Sequence, residues 1–120
     1  MSPQELEDRL IDFAVMIVAV VEELPNNKAG NHVGNPLIRS GTSPAPNYAE
    51  ARSAESRKDF VHKMKIALKE LRETIVWLRI IERKPLGDCK DLATAIVECN
   101  ELIAIFVSST KTADRGKAIS

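Results

Sequence analysis

The sequence predicts an all-α protein, an antiparallel up-down-up-down four-helix bundle, and three observations favour that class. Four segments have apolar residues at helical spacing, the connections between them are short, and no segment alternates as a β-strand does. The chain has 120 residues, of which 44% are hydrophobic, 28% are charged and 4% are aromatic. This length and composition suit one globular domain with a largely aliphatic core.

The first helix begins at residues 2–5, SPQE, which have the spacing of a capping box with proline at the first helical position. Residues 13–21, FAVMIVAVV, form an apolar run that is too short to cross a membrane, which takes about 20 residues. Acidic residues precede this run where a signal peptide would be basic, so we expect a cytoplasmic protein with no membrane partner. The predicted core stripe consists of Leu6, Leu10, Phe13, Ile17, Val20 and Leu24.

The second helix is predicted over residues 28–43 and is weaker than the first. Two glycines and a proline within it lower its intrinsic stability. Pro44 and Pro46 then interrupt or restart the helix, and residues 47–52 form its closing turns. We therefore expect an irregular end to this element.

The third helix is the longest in the prediction and extends from a cap at Ser53 to about Lys84. Three apolar residues, Ile66, Trp77 and Ile80, lie about 100–160° around the helix from its core stripe. Apolar groups there predict a second buried surface, which we interpret as an interface between copies of the chain. The core stripe consists of Phe60, Met64, Ala67, Leu71, Ile75 and Leu78.

The fourth helix is predicted to begin at an N-cap, Asp88, and to run to about Ser109. The bundle is therefore assigned to residues 1–110. The polar residues 111–120 are expected to form a disordered tail. The apolar stripe of the fourth helix consists of Leu92, Ile96, Cys99, Ile103 and Phe106.

Charge is distributed unevenly, although Lys+Arg and Asp+Glu both total 17. Residues 1–24 have six acidic side chains against one arginine, a balance of −5, and residues 52–84 have ten basic against five acidic, a balance of +5. Six basic residues of the third helix project into one sector of about 80° along about 37 Å, and no acidic residue falls in that sector. This basic row consists of Lys58, Lys65, Lys69, Arg72, Arg79 and Arg83.

The basic row has three interpretations. A row of cations can follow the phosphate backbone of RNA or DNA, because each contact releases condensed counterions. It can instead be a solvated face whose charges pair with the acidic first helix, or a surface for an anionic protein. Base stacking on single strands is not supported, because no aromatic side chain lies between the basic residues.

Residues 37–60, LIRSGTSPAPNYAEARSAESRKDF, are rich in Ser, Ala, Pro and Asn and raise the question of an active site. No histidine stands near these hydroxyls in a recognisable catalytic arrangement. We interpret the segment as a packed corner, in which Arg39 and Glu50 form a charge-assisted hydrogen bond within the chain or across a subunit boundary. The corner residues are Arg39, Ser40, Ser43, Asn47 and Glu50.

No group of residues indicates catalysis, a metal or a cofactor. His32 and His62 lack cysteine or carboxylate partners at metal-ligand spacing. Glu70 and Glu73 lack the Glu-x-x-His motif of di-iron bundles, and there is no glycine-rich phosphate loop. We therefore expect a protein that is not an enzyme and needs neither a cofactor nor a metal.

Four segments of the chain carry a family resemblance. They are Arg39-Ser40-Gly41-Thr42-Ser43, Asn47-Tyr48-Ala49-Glu50-Ala51, Lys58-Asp59-Phe60 and Lys69-Glu70-Leu71-Arg72-Glu73-Thr74. With them the chain resembles the 23S rRNA intervening-sequence proteins, small bacterial four-helix bundles. The resemblance implies assembly as a homopentamer, in a family whose members mostly have no established biochemical function. A similar fold serves as the accessory subunit of diversity-generating retroelement reverse transcriptases, where a basic pentamer surface binds nucleic acid.

The residues and the resemblance together predict a non-catalytic, self-assembling bundle that binds RNA or DNA through the basic row. The alternative is a protein-interaction scaffold that binds no nucleic acid and whose basic row pairs with acidic neighbours. The two differ in salt sensitivity, because phosphate binding weakens steeply as salt rises.

Overall fold

The structure, a computed structural model, describes the backbone of residues 1–119 and the side chains of residues 1–113. Over these residues it has five helical segments and no strand, which confirms the all-α class. Ser43, between the second and third segments, keeps helical backbone angles (φ −67°, ψ −35°), so these two segments form one interrupted rod and the fold has four rods. The segments are α1 (Pro3–Glu22), α2 (Lys28–Thr42), α3 (Pro44–Arg52), α4 (Arg57–Arg83) and α5 (Leu92–Ile119).

Capping side chains determine where the helices begin. The hydroxyl of Ser2 accepts a hydrogen bond from a backbone N–H of the first turn of α1 at 3.1 Å, as the sequence predicts. The predicted cap at Ser53 is wrong, because its N–H still donates to a carbonyl of α3 at 3.1 Å, and Ser56 caps α4 instead. Asp88 is likewise not the cap of α5, because a turn intervenes before the helix begins at Leu92.

The core of the bundle is aliphatic and follows the predicted stripes of α1 and α4. Leu10, Phe13, Ile17 and Val20 of α1 are at most 1% exposed. In α4 the stripe is confirmed from Met64 to Leu78, whereas Phe60 at its start is half-buried. Burial of these side chains is the main source of folding free energy, at about 25 cal/mol per Å² of apolar surface.

The buried face of α5 differs from the prediction. Ala95 and Leu102 are fully buried together with Cys99 and Phe106, whereas the predicted Ile96 and Ile103 are half-buried. The helix is apolar on several sides, so the spacing of its apolar residues does not determine which face packs inward.

The α5 helix also extends further than predicted. Its backbone is helical to Ile119, through most of the segment that the sequence assigns to a disordered tail, and the last residue of that segment lies outside the described residues. By length and composition alone, Leu92–Ala113 is apolar enough to cross a membrane, with a mean hydropathy of 1.5. Core helices of soluble proteins pass the same test, so this is weak evidence for a membrane.

The packing places α1 and α4 diagonally across the bundle. Each of them packs on α2, α3 and α5, and over the described residues no Cα atom of one lies within 8 Å of a Cα atom of the other. A bidentate ion pair fastens α1 to α5: the Nε and Nη2 of Arg9 each donate to a carboxylate oxygen of Glu98 at 2.7 Å. The same guanidinium donates to Glu101 at 2.7 Å.

We expect this ion pair to make stability depend on pH in acid. The hydrogen bond from Arg9 lowers the pKa of Glu98 below its ordinary value of 4.5, although burial opposes the shift. Because the folded-state pKa is the lower one, the contribution is complete above the unfolded-state value and is lost as pH falls through the folded-state pKa. Glu98→Gln should lower the free energy of unfolding at neutral pH by roughly 1–2 kcal/mol and reduce this acid dependence.

Urea denaturation at neutral pH and at about pH 3, followed by circular dichroism, measures both effects. Glu101→Gln is the matched control, because its side chain is 58% exposed whereas that of Glu98 is 19% exposed. Equal losses in the two variants would contradict the special role of Glu98.

Candidate nucleic-acid interface

The basic row lies on the outer surface of α4, as the sequence predicts for this helix. All six of its side chains are exposed. The buried residues of α4, from Val61 to Ile81, centre on the opposite side, about 130° around the helix from the row. The helix therefore turns its core stripe inward and presents a continuous line of cations outward.

Most of the row has no acidic partner. Among the side chains of residues 1–113, no carboxylate comes within 4.0 Å of the cations at positions 58, 69, 72, 79 and 83. Lys65 makes an interaction of its own and is not counted with them. The row thus keeps most of its charge available for an anionic partner.

The acidic first helix does not neutralise the row within one chain. Its Glu7 pairs with Arg52 of α3 at 3.1 Å, and Glu23, the residue after its last turn, accepts a hydrogen bond from the backbone N–H of Lys90 at 2.7 Å. α1 and α4 lie diagonally, and no described carboxylate of α1 comes within 4.0 Å of the cations at positions 58, 69, 72, 79 and 83. Pairing between them would need a second copy of the chain.

Two exposed apolar residues accompany the row. Val76 is 54% exposed and projects at about the same angle as the row's cations, between Arg72 and Arg79 in sequence. Ile80 is 39% exposed on one flank. Ile80 was predicted as an interface residue and Val76 was not, although the angle of Val76 on the helical wheel could have identified it.

The three residues predicted to form an oligomer interface have different surroundings. Ile66 is half-buried. Trp77 is also half-buried and packs against the core, with its ring edge-on to His32 at 6.3 Å between centroids and 80° between planes. Ile80 lines a groove between α2 and α4. None of these surroundings tests the predicted interface, which stays a prediction.

The groove beside Ile80 has an apolar floor and a basic rim. Its volume is about 430 Å³, and it lies where the start of α2 faces the end of α4. Lys28 and Lys84 stand at its edge, and His32 is exposed beside them. We call it the α2–α4 groove; it is lined by Lys28, Ala29, His32, Val33, Ile80, Lys84 and Leu86.

A larger groove of about 1110 Å³ opens at the opposite end of α4. Tyr48 and Phe60 line it together with Arg52 and Arg57. Arg52 is engaged by acidic α1, whereas Arg57 is exposed and directly precedes Lys58 of the row. Arg57 therefore adds a cation near the start of the row that was not predicted from the sequence.

The predicted ion pair of the corner is wrong within the chain. Arg39 lies 3.7 Å from Glu73 of α4, and Glu50 pairs with Lys63 of α4 at 2.5 Å. Both corner residues point toward the neighbouring helix because α2 and α3 pack along α4. The charges of the corner thus connect it to α4 rather than to itself.

The rest of the corner is packed as predicted for a structural segment. The hydroxyls of Ser40 and Thr74 are both fully buried and lie 2.9 Å apart, which joins α2 to α4. The amide of Asn47 donates to the hydroxyl of Ser43 at 2.9 Å and to its carbonyl at 3.0 Å. These contacts hold the interrupted rod together at the break between α2 and α3.

The described residues contain no group of three or more His, Cys, Asp or Glu side chains that could hold a metal ion. The two cysteines are free. Burial raises the pKa of the Cys99 thiol to about 12, and it also raises that of Cys89. Both are therefore poor nucleophiles at neutral pH.

Comparisons with known proteins agree with this architecture. A family model described as 23S rRNA-intervening sequence protein matches residues 5–108. Among solved structures, the chain is similar to a protein of unknown function from the S23 ribosomal protein family of Bacteroides thetaiotaomicron. The two sequences are 32% identical, the TM-score is 0.82, and the similarity covers 92% of this chain and 99% of that chain. No curated protein matches.

Proposed function

The chain belongs to the 23S rRNA-intervening sequence protein family, and we propose that it is a non-catalytic, self-assembling helical bundle that binds RNA or DNA through the basic row. One observation carries the nucleic-acid part of this proposal: a line of exposed cations along α4, most of them without an acidic partner among the described side chains. The descriptions of the family and of the similar structure name no enzyme activity.

The proposed bundle has the antiparallel up-down-up-down topology. Contacts between neighbouring rods support this topology. As one moves toward the C-terminus of one rod, the contacted residues move toward the N-terminus of the neighbouring rod. The pairs with this order are Arg39–Glu73 and Glu50–Lys63 for the α2–α3 rod against α4, and Arg9–Glu98 for α1 against α5, together with Val20–Cys89, in which Cys89 lies in the turn that leads into α5.

Binding through the row follows the phosphate backbone and does not read bases. Lysine and arginine side chains along one face of an uninterrupted helix can contact successive phosphates, and each contact releases counterions. The row has no aromatic side chain on which a base could stack. We therefore expect similar affinities for unrelated sequences and a strong dependence on salt.

Self-assembly is the second part of the proposal. Two large apolar side chains one turn apart on the outer side of α1, Ile11 and Val15, are 45% and 63% exposed. An apolar pair on the water-facing side of a bundle helix favours a surface that is covered in the assembly. The number of copies, five, rests on the family resemblance, as does the relation to reverse transcriptase accessory subunits.

The alternative function is a protein-interaction scaffold that binds no nucleic acid. The exposure of Val76 within the basic row favours it, because an apolar side chain contributes little to phosphate binding and much to a protein interface. In that case an acidic protein surface with an apolar centre would cover the row.

A fluorescence titration with generic RNA and with duplex DNA at about 50 and 200 mM salt tests the nucleic-acid proposal. We expect binding at low salt that weakens steeply at high salt. The triple variant Lys69→Ala, Arg72→Ala and Arg83→Ala should bind more weakly on every sequence, with a salt slope smaller by about 3.

The matched control removes the same charge elsewhere, with Arg39, Lys90 and Lys111 replaced by alanine, since all three are exposed and lie outside both the row and the α2–α4 groove. It should keep most of the wild-type affinity. Equal losses in the two triple variants would indicate attraction by net charge alone, and no binding at low salt would leave the protein scaffold as the function.

A further inference from the structure

We propose that copies of this chain join head to tail, with the outer face of α1 of one copy seated in the α2–α4 groove of the next copy. The inference rests on the proposed self-assembly and names the two surfaces that carry it. The first is an apolar face with acidic flanks, and the second is an apolar groove with a basic rim.

The outer face of α1 is unexplained within the single chain. Ile11 and Val15 lie one turn apart, on the side of α1 away from its buried stripe, and are 45% and 63% exposed. Asp8, Asp12 and Glu22 are exposed around them. A bundle helix ordinarily turns its polar side to water, so this apolar pair indicates a surface that a partner covers.

The α2–α4 groove has the complementary chemistry. Its floor includes Val33 and Ile80, and it is large enough to receive branched apolar side chains. Lys28 and Lys84 stand at its edge as exposed cations. The acidic residues that flank the α1 face can therefore meet lysines when the apolar pair enters the groove.

The positions of the two surfaces determine the kind of contact. The outer face of α1 and the α2–α4 groove are two different surfaces of the same chain, because no residue of α1 lines the groove. A contact between two different patches is heterologous, and repetition of such a contact closes into a ring or continues as a filament.

This assembly leaves the basic row uncovered. The groove lies on the α2 side of α4, whereas the row projects from the outer side, about 60–100° further around the helix. Successive copies would therefore present their rows in a repeated arrangement, and nucleic-acid binding and assembly use separate residues.

A charge exchange tests the assignment. Asp8→Lys with Asp12→Lys places new lysines opposite the lysines of the groove. Lys28→Glu with Lys84→Glu places new glutamates opposite the aspartates of α1. We expect each double variant to be monomeric by light scattering coupled to size exclusion in about 50 mM salt, where charge effects are strong. The chain that combines all four substitutions should regain the wild-type mass, because opposite charges face each other again.

Val15→Lys should also give monomers, whereas its matched control Val97→Lys should keep the wild-type mass, because Val97 is similarly exposed but lies on α5. Circular dichroism checks that every variant is helical. A double variant that keeps the wild-type mass, or a fourfold variant that stays monomeric, overturns the surface assignment. A monomeric wild-type chain overturns the proposed self-assembly itself.

Discussion

Replacing Gly30 with alanine is expected to lower the free energy of unfolding by roughly 3 kcal/mol. A Cβ atom at Gly30 would overlap the carbonyl oxygen of Pro25, a backbone atom in the turn between α1 and α2. Neither atom can move aside by side-chain rotation, so the turn itself would have to shift. Urea denaturation followed by circular dichroism at 222 nm measures the loss in the folded chain.

Gly34, four residues later on the same helix, is the matched control. A Cβ there would meet the Leu24 side chain at 3.4 Å, which is an ordinary contact distance. Alanine is the better helix former by about 1 kcal/mol, so Gly34→Ala should be neutral or stabilising. The proposed role of Gly30 would be falsified if the two variants changed stability in the same direction by similar amounts.

Helix α2 shows which structural features could be predicted from the sequence and which could not. The break between α2 and α3 beside Pro44 was predicted from the fixed backbone of proline, whereas the predicted weakness of α2 stays a prediction. Which glycine lies against a backbone atom could not be predicted. That property belongs to the turn between α1 and α2, which only the packed structure defines.

The charged residues also divide into those whose position follows from one helix and those whose partners depend on how the helices pack. The direction of the basic row follows from helical geometry alone, because all of its residues belong to one uninterrupted helix. The partners of Arg39 and Glu50 depend on how the α2–α3 rod packs along α4, and the prediction that they pair with each other is wrong within one chain. The α2–α4 groove was not predicted either, because its walls come from residues that are about 50 apart in sequence.

The core position of Phe106 has the largest expected effect on stability. Its side chain is fully buried, and Tyr48 of α3 stacks edge-on against it, with 5.9 Å between ring centroids and 71° between planes. Phe106→Ala should lower the free energy of unfolding by about 4 kcal/mol, through lost burial and an unfilled cavity. The aromatic contact contributes about 1 kcal/mol of this total.

Phe106→Leu separates the two contributions, because leucine keeps most of the buried volume but cannot form the aromatic pair. We expect it to cost about 1.5 kcal/mol, and Tyr48→Leu together with Phe106→Leu to cost less than the sum of the single changes. A double-mutant cycle by urea denaturation measures this coupling. If the two single changes add up to the free-energy loss of the double variant, the two rings do not stabilise each other. Burial alone would then account for the contact between Tyr48 of α3 and Phe106 of α5.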